Sequence, residues 1–233
     1  MQTPESLADG EIYVLRARLS QPPLTLAECA SVVTSDERHR AARYRLDADR
    51  QRHLLGRSIL RLAVGRLVNV EPRLLVLQDS AYGKPSIPDG PSFNIAHSGD
   101  EVLIALAGRG RLGVDVEAVR DLSDLFDVAR TSFVPAEVSA LAAQPPAEQL
   151  RHFYRIWSRK EAMLKALGIG IGALQSLEVS GEVGIANALL RISLPGESVE
   201  SWVVRPIVGA DSVETAVAWD RPLQRVVVRD LVL

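Results

Sequence analysis

The sequence predicts an α+β fold in two lobes, each a long helix packed on a mostly antiparallel sheet. Three observations predict it. Apolar residues recur at helical spacing over two long stretches, residues 48–68 and 146–167. Each stretch is followed by a run of short, turn-bounded segments of strand character. No low-complexity linker divides the chain, so two tightly packed lobes are expected, each of about 110 residues. The boundary falls near 107–112, giving an N-terminal lobe of 1–109 and a C-terminal lobe of 110–233. The matching order of the two halves points to a duplicated unit.

Each element has a local reason. Residues 11–19, EIYVLRARL, read as a strand, and Ser35 as the N-cap of a short helix over DERHRAARY. In the long helix to Val68, Leu54, Leu55, Ile59, Leu62, Val64 and Leu67 form the apolar face, with Gly56 tolerated inside and Pro72 beyond the end. The runs at 74–78, 92–97, 102–107 and 112–117 read as strands, separated by the turn-forming AYGKPSIPDGP, HSGD and GRGR. In the second half, Pro135 opens a short helix and Pro146–Leu167 forms the second long one. Strands are expected near 175–180, 188–194, 201–208, 213–219 and 225–229.

Bulk properties narrow the function. A net charge of −2 provides no whole-molecule field for nucleic acid. The one cysteine, Cys29, excludes an internal disulfide and a cysteine-rich zinc site, and reads as a buried thiol. The start, MQTPESLADGE, has no signal-peptide pattern, and no run of 18 apolar residues occurs, so a cytoplasmic protein without a membrane span is expected. Only three of the 27 basic residues are lysines, Lys84, Lys160 and Lys165, which marks positions where a compact ammonium is wanted.

Four signals carry chemistry. In GVDVE, Asp115 and Glu117 project from one face of a strand, roughly 7 Å apart at their backbones. Like charges about 4 Å apart repel by on the order of 4 kcal/mol near a surface, so protonation, a basic side chain or a metal must offset them. In WSRKEAMLK, Trp157, Glu161 and Lys165 share one helical stripe. The turn Tyr82-Gly83-Lys84-Pro85 is followed by FNIAHSG, which ends on His97 and Ser98 where a strand turns and an anion can be met. Nine arginines lie between Arg38 and Arg66, a positive lobe suited to a small polyanion.

In the order GKP, FNIAHS, GVDVE and WSRKEAMLK, residues 40 to about 180 resemble the Sfp-type 4′-phosphopantetheinyl transferases. The resemblance implies two α+β lobes with the active site and coenzyme A between them. It implies transfer of the phosphopantetheine arm to a serine of an apo acyl or peptidyl carrier protein, with release of adenosine 3′,5′-bisphosphate. Asp115, Glu117 and Glu161 would then hold one Mg²⁺, an ion that takes hard oxygen ligands together with substrate phosphates. Glu161 would be the general base, directly or through a metal-held water, with Lys165 and Lys160 at the diphosphate. His97 would meet the 3′-phosphate, Ser98 a nearby phosphate, and Lys84, Arg43 and Arg52 would add charge.

The sequence departs from the family pattern at His53, where a small hydroxyl residue is common, and at Ala96, where serine is. The segment 118–135, with Leu122, Leu125, Phe126 and Val128, is either the expected carrier docking groove or an ordinary core helix. A monomer completing its own site is expected. Two rivals stay open: a phosphoryl-transfer or pyrophosphate-cleaving enzyme without a protein acceptor, and a non-catalytic binding module.

Overall fold

The structure is a computed structural model and describes residues 4–80, 83–207 and 211–232. Tyr82 of the GKP turn and residue 208 of an expected strand lie outside these. The fold is α+β and divides into two compact units, Met1–Arg109 with Gln224–Leu233, and Gly110–Leu223.

The first unit runs β1 (Glu11–Arg18), α1 (Leu26–Val32), α2 (Ser35–Ala42), α3 (Asp47–Val68), a 3-10 turn (Pro72–Leu74), the short pair β2 (Gln78–Asp79) and β3 (Pro85–Ser86), then β4 (Ser92–Ser98) and β5 (Glu101–Ala107). Antiparallel β1 and β4 flank β5, which is buried along its whole length. That burial explains its continuous apolar run in place of alternation. From α3, Leu55, Ile59, Leu60, Ala63 and Val64 are buried in the unit's core, each larger side chain contributing about 1.5–3 kcal/mol by leaving water.

Three local expectations change. Thr34, not Ser35, is the N-cap of α2, because Thr34 and Glu37 form a reciprocal capping box that Ser35 has no glutamate to complete. The same box at Thr25 and Glu28 starts α1. The run 74–78 does not form a strand beyond Gln78: Leu74 and Val76 are exposed, and Arg61 takes the carbonyls of Pro72 and Leu75 at 2.7 and 3.1 Å. The chain's last strand, β11 (Arg225–Asp230), pairs parallel with β1 and so joins the first unit, although its sequence position suggested the C-terminal lobe. Alternating hydrophobicity identifies a strand without saying which edge it joins.

The second unit runs β6 (Leu112–Ala118), α4 (Leu125–Ser132), α5 (Pro135–Ala142), α6 (Pro146–Leu167), a 3-10 turn (Ile171–Ser176), the pair β7 (Leu177–Val179) and β8 (Leu189–Ile192), a second 3-10 turn (Val199–Ser201), then β9 (Val203–Pro206) and β10 (Val213–Trp219). Its sheet has the antiparallel order β6-β10-β9. Buried Ile156, Ala162, Met163 and Leu164 of α6 join this unit's core with Trp202, Val204 and Ala216. The helix stops at Gly168, whose φ of 71° suits the left-handed cap and whose N–H returns to Leu164.

A buried ion pair braces each long helix. Glu37 accepts from Arg61 Nε at 2.7 Å and from the Thr34 N–H at 3.0 Å. Glu137 accepts from Lys160 Nζ at 2.6 Å, from the Val134 N–H at 2.9 Å and from the Val179 N–H at 2.8 Å. Lys160 also donates to the Leu174 carbonyl at 3.0 Å and lies 5.2 Å from the centre of the Phe133 ring. Among the described residues no helix is long and apolar enough to cross a membrane.

Candidate active site

In the second unit, chemistry gathers where β6 faces α6. A Cβ on Gly113 would lie 2.0 Å from the Ala162 carbonyl and 2.5 Å from the Ala166 nitrogen, so this glycine lets strand and helix touch. Residues i and i+2 of a strand share a face. Asp115 therefore points at the same helix, and Glu117 follows. Lys165 of α6 donates to Asp115 Oδ1 at 2.6 Å. Glu161, one turn earlier, lies in the same electrostatic neighbourhood as Lys165 and Glu117. Trp157, the third member of that stripe, anchors it in the core by stacking on Phe153 at 5.7 Å.

The electrostatics are those of a crowded acidic cluster. Burial pushes the Asp115 carboxyl up to about 7; Lys165 opposes the shift, while Glu117 and Glu161 add to it. Glu161 is also raised by burial, with Lys165 opposing and Glu117 reinforcing. Burial pulls Lys165 down, but Asp115, Glu161 and Glu117 together hold it above its ordinary value. Asp115 Oδ2 is buried without a hydrogen-bond partner among the described residues. An all-oxygen donor set with one unsatisfied oxygen fits a hard divalent ion. Among the described residues no ready-made cluster of three metal-ligating side chains is formed. Lys165 supplies the cation that the sequence demands beside Asp115.

Lys160 is not brought to this cluster. It is fully buried on another side of α6 and occupied by Glu137 and Leu174. The sequence held the signal: adjacent helical residues point about 100° apart, so Lys160 cannot share the stripe of Glu161 and Lys165.

The first unit carries a basic cluster. His97 is exposed near the end of β4, and Ser98, the strand's last residue, is buried beside it. The two-residue turn that follows uses Gly99 at φ 57°, and Arg52 braces it by donating to the Gly99 carbonyl at 2.7 Å and to Asp49 at 2.6 Å. Arg43 is exposed at the C-cap of α2. Lys84 is half-buried in a turn closed by Ser80, whose Oγ accepts from the Lys84 N–H at 3.1 Å.

The sequence reading gave two further residues here no role of their own: Arg57 was one of nine arginines, and His53 a departure from the family pattern. Arg57 is 8% exposed, and its nearest carboxylate oxygen, on Glu37, is 3.9 Å away, beyond hydrogen-bonding distance. His53, one turn earlier on α3, is buried with Nε2 unpartnered among the described residues. Burial first, then Arg57 and Arg40, drag it down to about 4, and His97 adds to the effect. The Arg57 guanidinium, with no acceptor at hydrogen-bonding distance among the described residues, suits an anion. The i, i+4 spacing of His53 and Arg57 was the available clue. Several arginines of the expected positive lobe are instead spent on protein groups: Arg38 on the carbonyls of Ala30 and Val33, Arg50 on Asp47, Arg61 on Glu37 and Arg66 on Glu5.

The segment after β6 turns much of its apolar surface inward. Leu125 and Ala129 of α4 are buried, and Leu122, Phe126 and Val128 pack against the same core. The open groove beside it is lined by Asp121, Asp124 and Asp127 as well as Phe126, Arg130 and Leu150. Three aspartates against one arginine make this groove acidic.

Comparison with known proteins converges on one family. Residues 111–206 match the sequence profile of the 4′-phosphopantetheinyl transferase superfamily, and residues 22–109 that of a 4′-phosphopantetheinyl transferase N-terminal region. The chain is 35% identical over 180 residues to the 4′-phosphopantetheinyl transferase HetI of Nostoc, covering 75% of this chain and 76% of HetI. It is 33% identical over 143 residues to the 4′-phosphopantetheinyl transferase Sfp of Bacillus subtilis, 60% of this chain and 62% of Sfp. It is 26% identical over 189 residues to the human L-aminoadipate-semialdehyde dehydrogenase-phosphopantetheinyl transferase, 73% of this chain and 61% of that protein.

Proposed function

We propose a specific reaction for this chain, which belongs to the 4′-phosphopantetheinyl transferase superfamily: transfer of the 4′-phosphopantetheine arm of coenzyme A to a serine of an apo acyl or peptidyl carrier protein. A bond forms between the serine oxygen and the β-phosphorus, and the diphosphate P–O bond breaks. Adenosine 3′,5′-bisphosphate leaves, and the serine proton passes to a carboxylate. The observation that carries this reading is the meeting of Asp115 and Lys165, with Glu117 and Glu161 beside them, on β6 and α6.

Asp115, Glu117 and Glu161 would hold Mg²⁺, which when bound polarises phosphoryl oxygens and stabilises the charge on the leaving adenosine 3′,5′-bisphosphate. Most of the remaining work is positioning and charge neutralisation. Glu161, raised by its burial, takes the serine proton on its carboxylate. Lys165 neutralises the charge that develops on the 5′-phosphate of the departing adenosine 3′,5′-bisphosphate. His97, Ser98 and Arg57 receive the 3′-phosphate end of coenzyme A, with Arg43 and Lys84 adding charge and Arg52 bracing the Gly99 turn. Lys160 acts structurally through Glu137. The same reading has the enzyme work as a monomer in the cytoplasm.

The test is mass spectrometry of an apo carrier protein incubated with coenzyme A, Mg²⁺ and this chain. The carrier is expected to gain about 340 Da, a covalent phosphopantetheine arm. Asp115→Ala is expected to give no gain while retaining the native circular dichroism spectrum. Coenzyme A cleaved at the diphosphate with no change in carrier mass would move the reading to a hydrolase.

A further inference from the structure

Asp115 is 3% exposed, and a buried carboxylate without a partner is strongly disfavoured. Lys165 supplies that partner at 2.6 Å on Oδ1, while Oδ2 has no hydrogen-bond partner among the described residues. Asp115 holds this ammonium directly, and Glu161 and Glu117 act on it electrostatically. The Lys165 side chain keeps 30% of its exposure, so its long stem has room to swing. A divalent ion against the Asp115 carboxylate and an ammonium at hydrogen-bond distance from the same group repel each other in this partly buried setting.

We propose that Lys165 is the resident counter-cation of Asp115 in the metal-free protein and is displaced from it when Mg²⁺ takes over the carboxylate, which frees its ammonium for the diphosphate. This rests on the functional reading above. Lys165 thus has two successive partners. In the metal-free protein it keeps Asp115 compensated, and its removal to the substrate is coupled to the arrival of the ion. A diphosphate then meets a free ammonium only in a site already loaded with metal.

The lysine content makes the test clean. Lys84, Lys160 and Lys165 are the only lysines, and Lys160 is fully buried. The whole chain is pulsed with formaldehyde and cyanoborohydride, with and without saturating Mn²⁺, and peptide masses give the methylation rate at Lys165 relative to Lys84. Mn²⁺ binding is followed separately by electron paramagnetic resonance of the free ion. The rate at Lys165 is expected to rise about tenfold with Mn²⁺ as the ion pair is lost, and Lys160 to stay unmodified. Asp115→Asn is expected to label fast at Lys165 without metal and to lose Mn²⁺ binding. Glu117→Gln serves as the metal-binding control should Asp115→Asn fail to fold. An unchanged or slower rate at Lys165, with Mn²⁺ binding that depends on these carboxylates, overturns the displacement and leaves the metal reading standing. Mn²⁺ binding that is absent, or indifferent to both substitutions, overturns both.

Discussion

In the first unit Glu37 caps α2 and holds Arg61, the fifteenth residue of α3; in the second Glu137 stands in the first turn of α5 and holds Lys160, the fifteenth residue of α6. Each base then donates to a backbone carbonyl fourteen residues further on, Leu75 in one unit and Leu174 in the other. The braces correspond position by position, and the neighbouring positions diverge. The sixteenth residue is Leu62 in α3 and Glu161 in α6; the twentieth is Arg66, paired with the exposed Glu5, and Lys165, paired with the buried Asp115. The strands diverge likewise: β1 buries Ile12, Val14, Leu15 and Ala17, whereas β6 turns Gly113, Asp115 and Glu117 to one side. The difference separates architecture from chemistry. A basic residue that recurs in both units is a strut, and the acidic cluster found in only one is the proposed site.

The largest test of that separation is Lys160→Met. Removing one partner of a buried pair should cost about 3–5 kcal/mol in urea unfolding, with kcat retained per folded molecule. The double variant Glu137→Leu/Lys160→Met should recover much of the loss. A loss of transfer without a loss of stability would return Lys160 to the chemistry. Next comes the helix–sheet contact, which each unit opens with a glycine on the opposite partner: Gly56 on the helix in the first, Gly113 on the strand in the second. Gly113→Ala should cost about 1–3 kcal/mol and reduce kcat by parting Asp115 from Lys165, because its Cβ would meet rigid backbone. Gly56→Ala meets only Ile95 and Val102 side-chain carbons at 3.2 and 3.4 Å, and a gain in helix propensity of about 1 kcal/mol should leave it near neutral. Comparable losses at both would break the contrast.

The smallest effect concerns pH. The seventh residue of each long helix is a buried histidine, His53 or His152, with Nε2 unpartnered among the described residues, and burial lowers both. For His53 the folded value is about 4 against an ordinary 6.5, so the unfolded chain binds the proton more readily between them. Stability is therefore full above that ordinary value and is lost as pH falls toward 4. From about pH 7.5 to about pH 5.5 the loss through His53 should be about 1 kcal/mol, and His53→Gln should remove that part of the slope. Equal slopes in both proteins would mean that His53 is not held neutral.

Periodicity made both long helices legible almost to the residue, because a 22-residue amphipathic pattern averages over local exceptions. The Asp115 and Glu117 strand was legible for a different reason: two charges in an apolar run demand an explanation. The short elements were harder. At 74–78 the apolar pattern was overruled by Arg61, whose donors occupy two carbonyls of that stretch. Lys160 was placed beside Glu161 from their adjacency in sequence, whereas its partner in the structure lies 23 residues upstream on another helix. Arg57 was hidden among nine arginines, since sequence does not say which guanidinium will be left without an acceptor.

The parallel pairing of β11 with β1 has a consequence for how the molecule is assembled. The first unit's outermost strand follows the whole of the second unit in the chain, so no single cut yields two intact halves. On the ribosome, β1 must wait for the second unit and then β11 to be synthesised before that flank is closed.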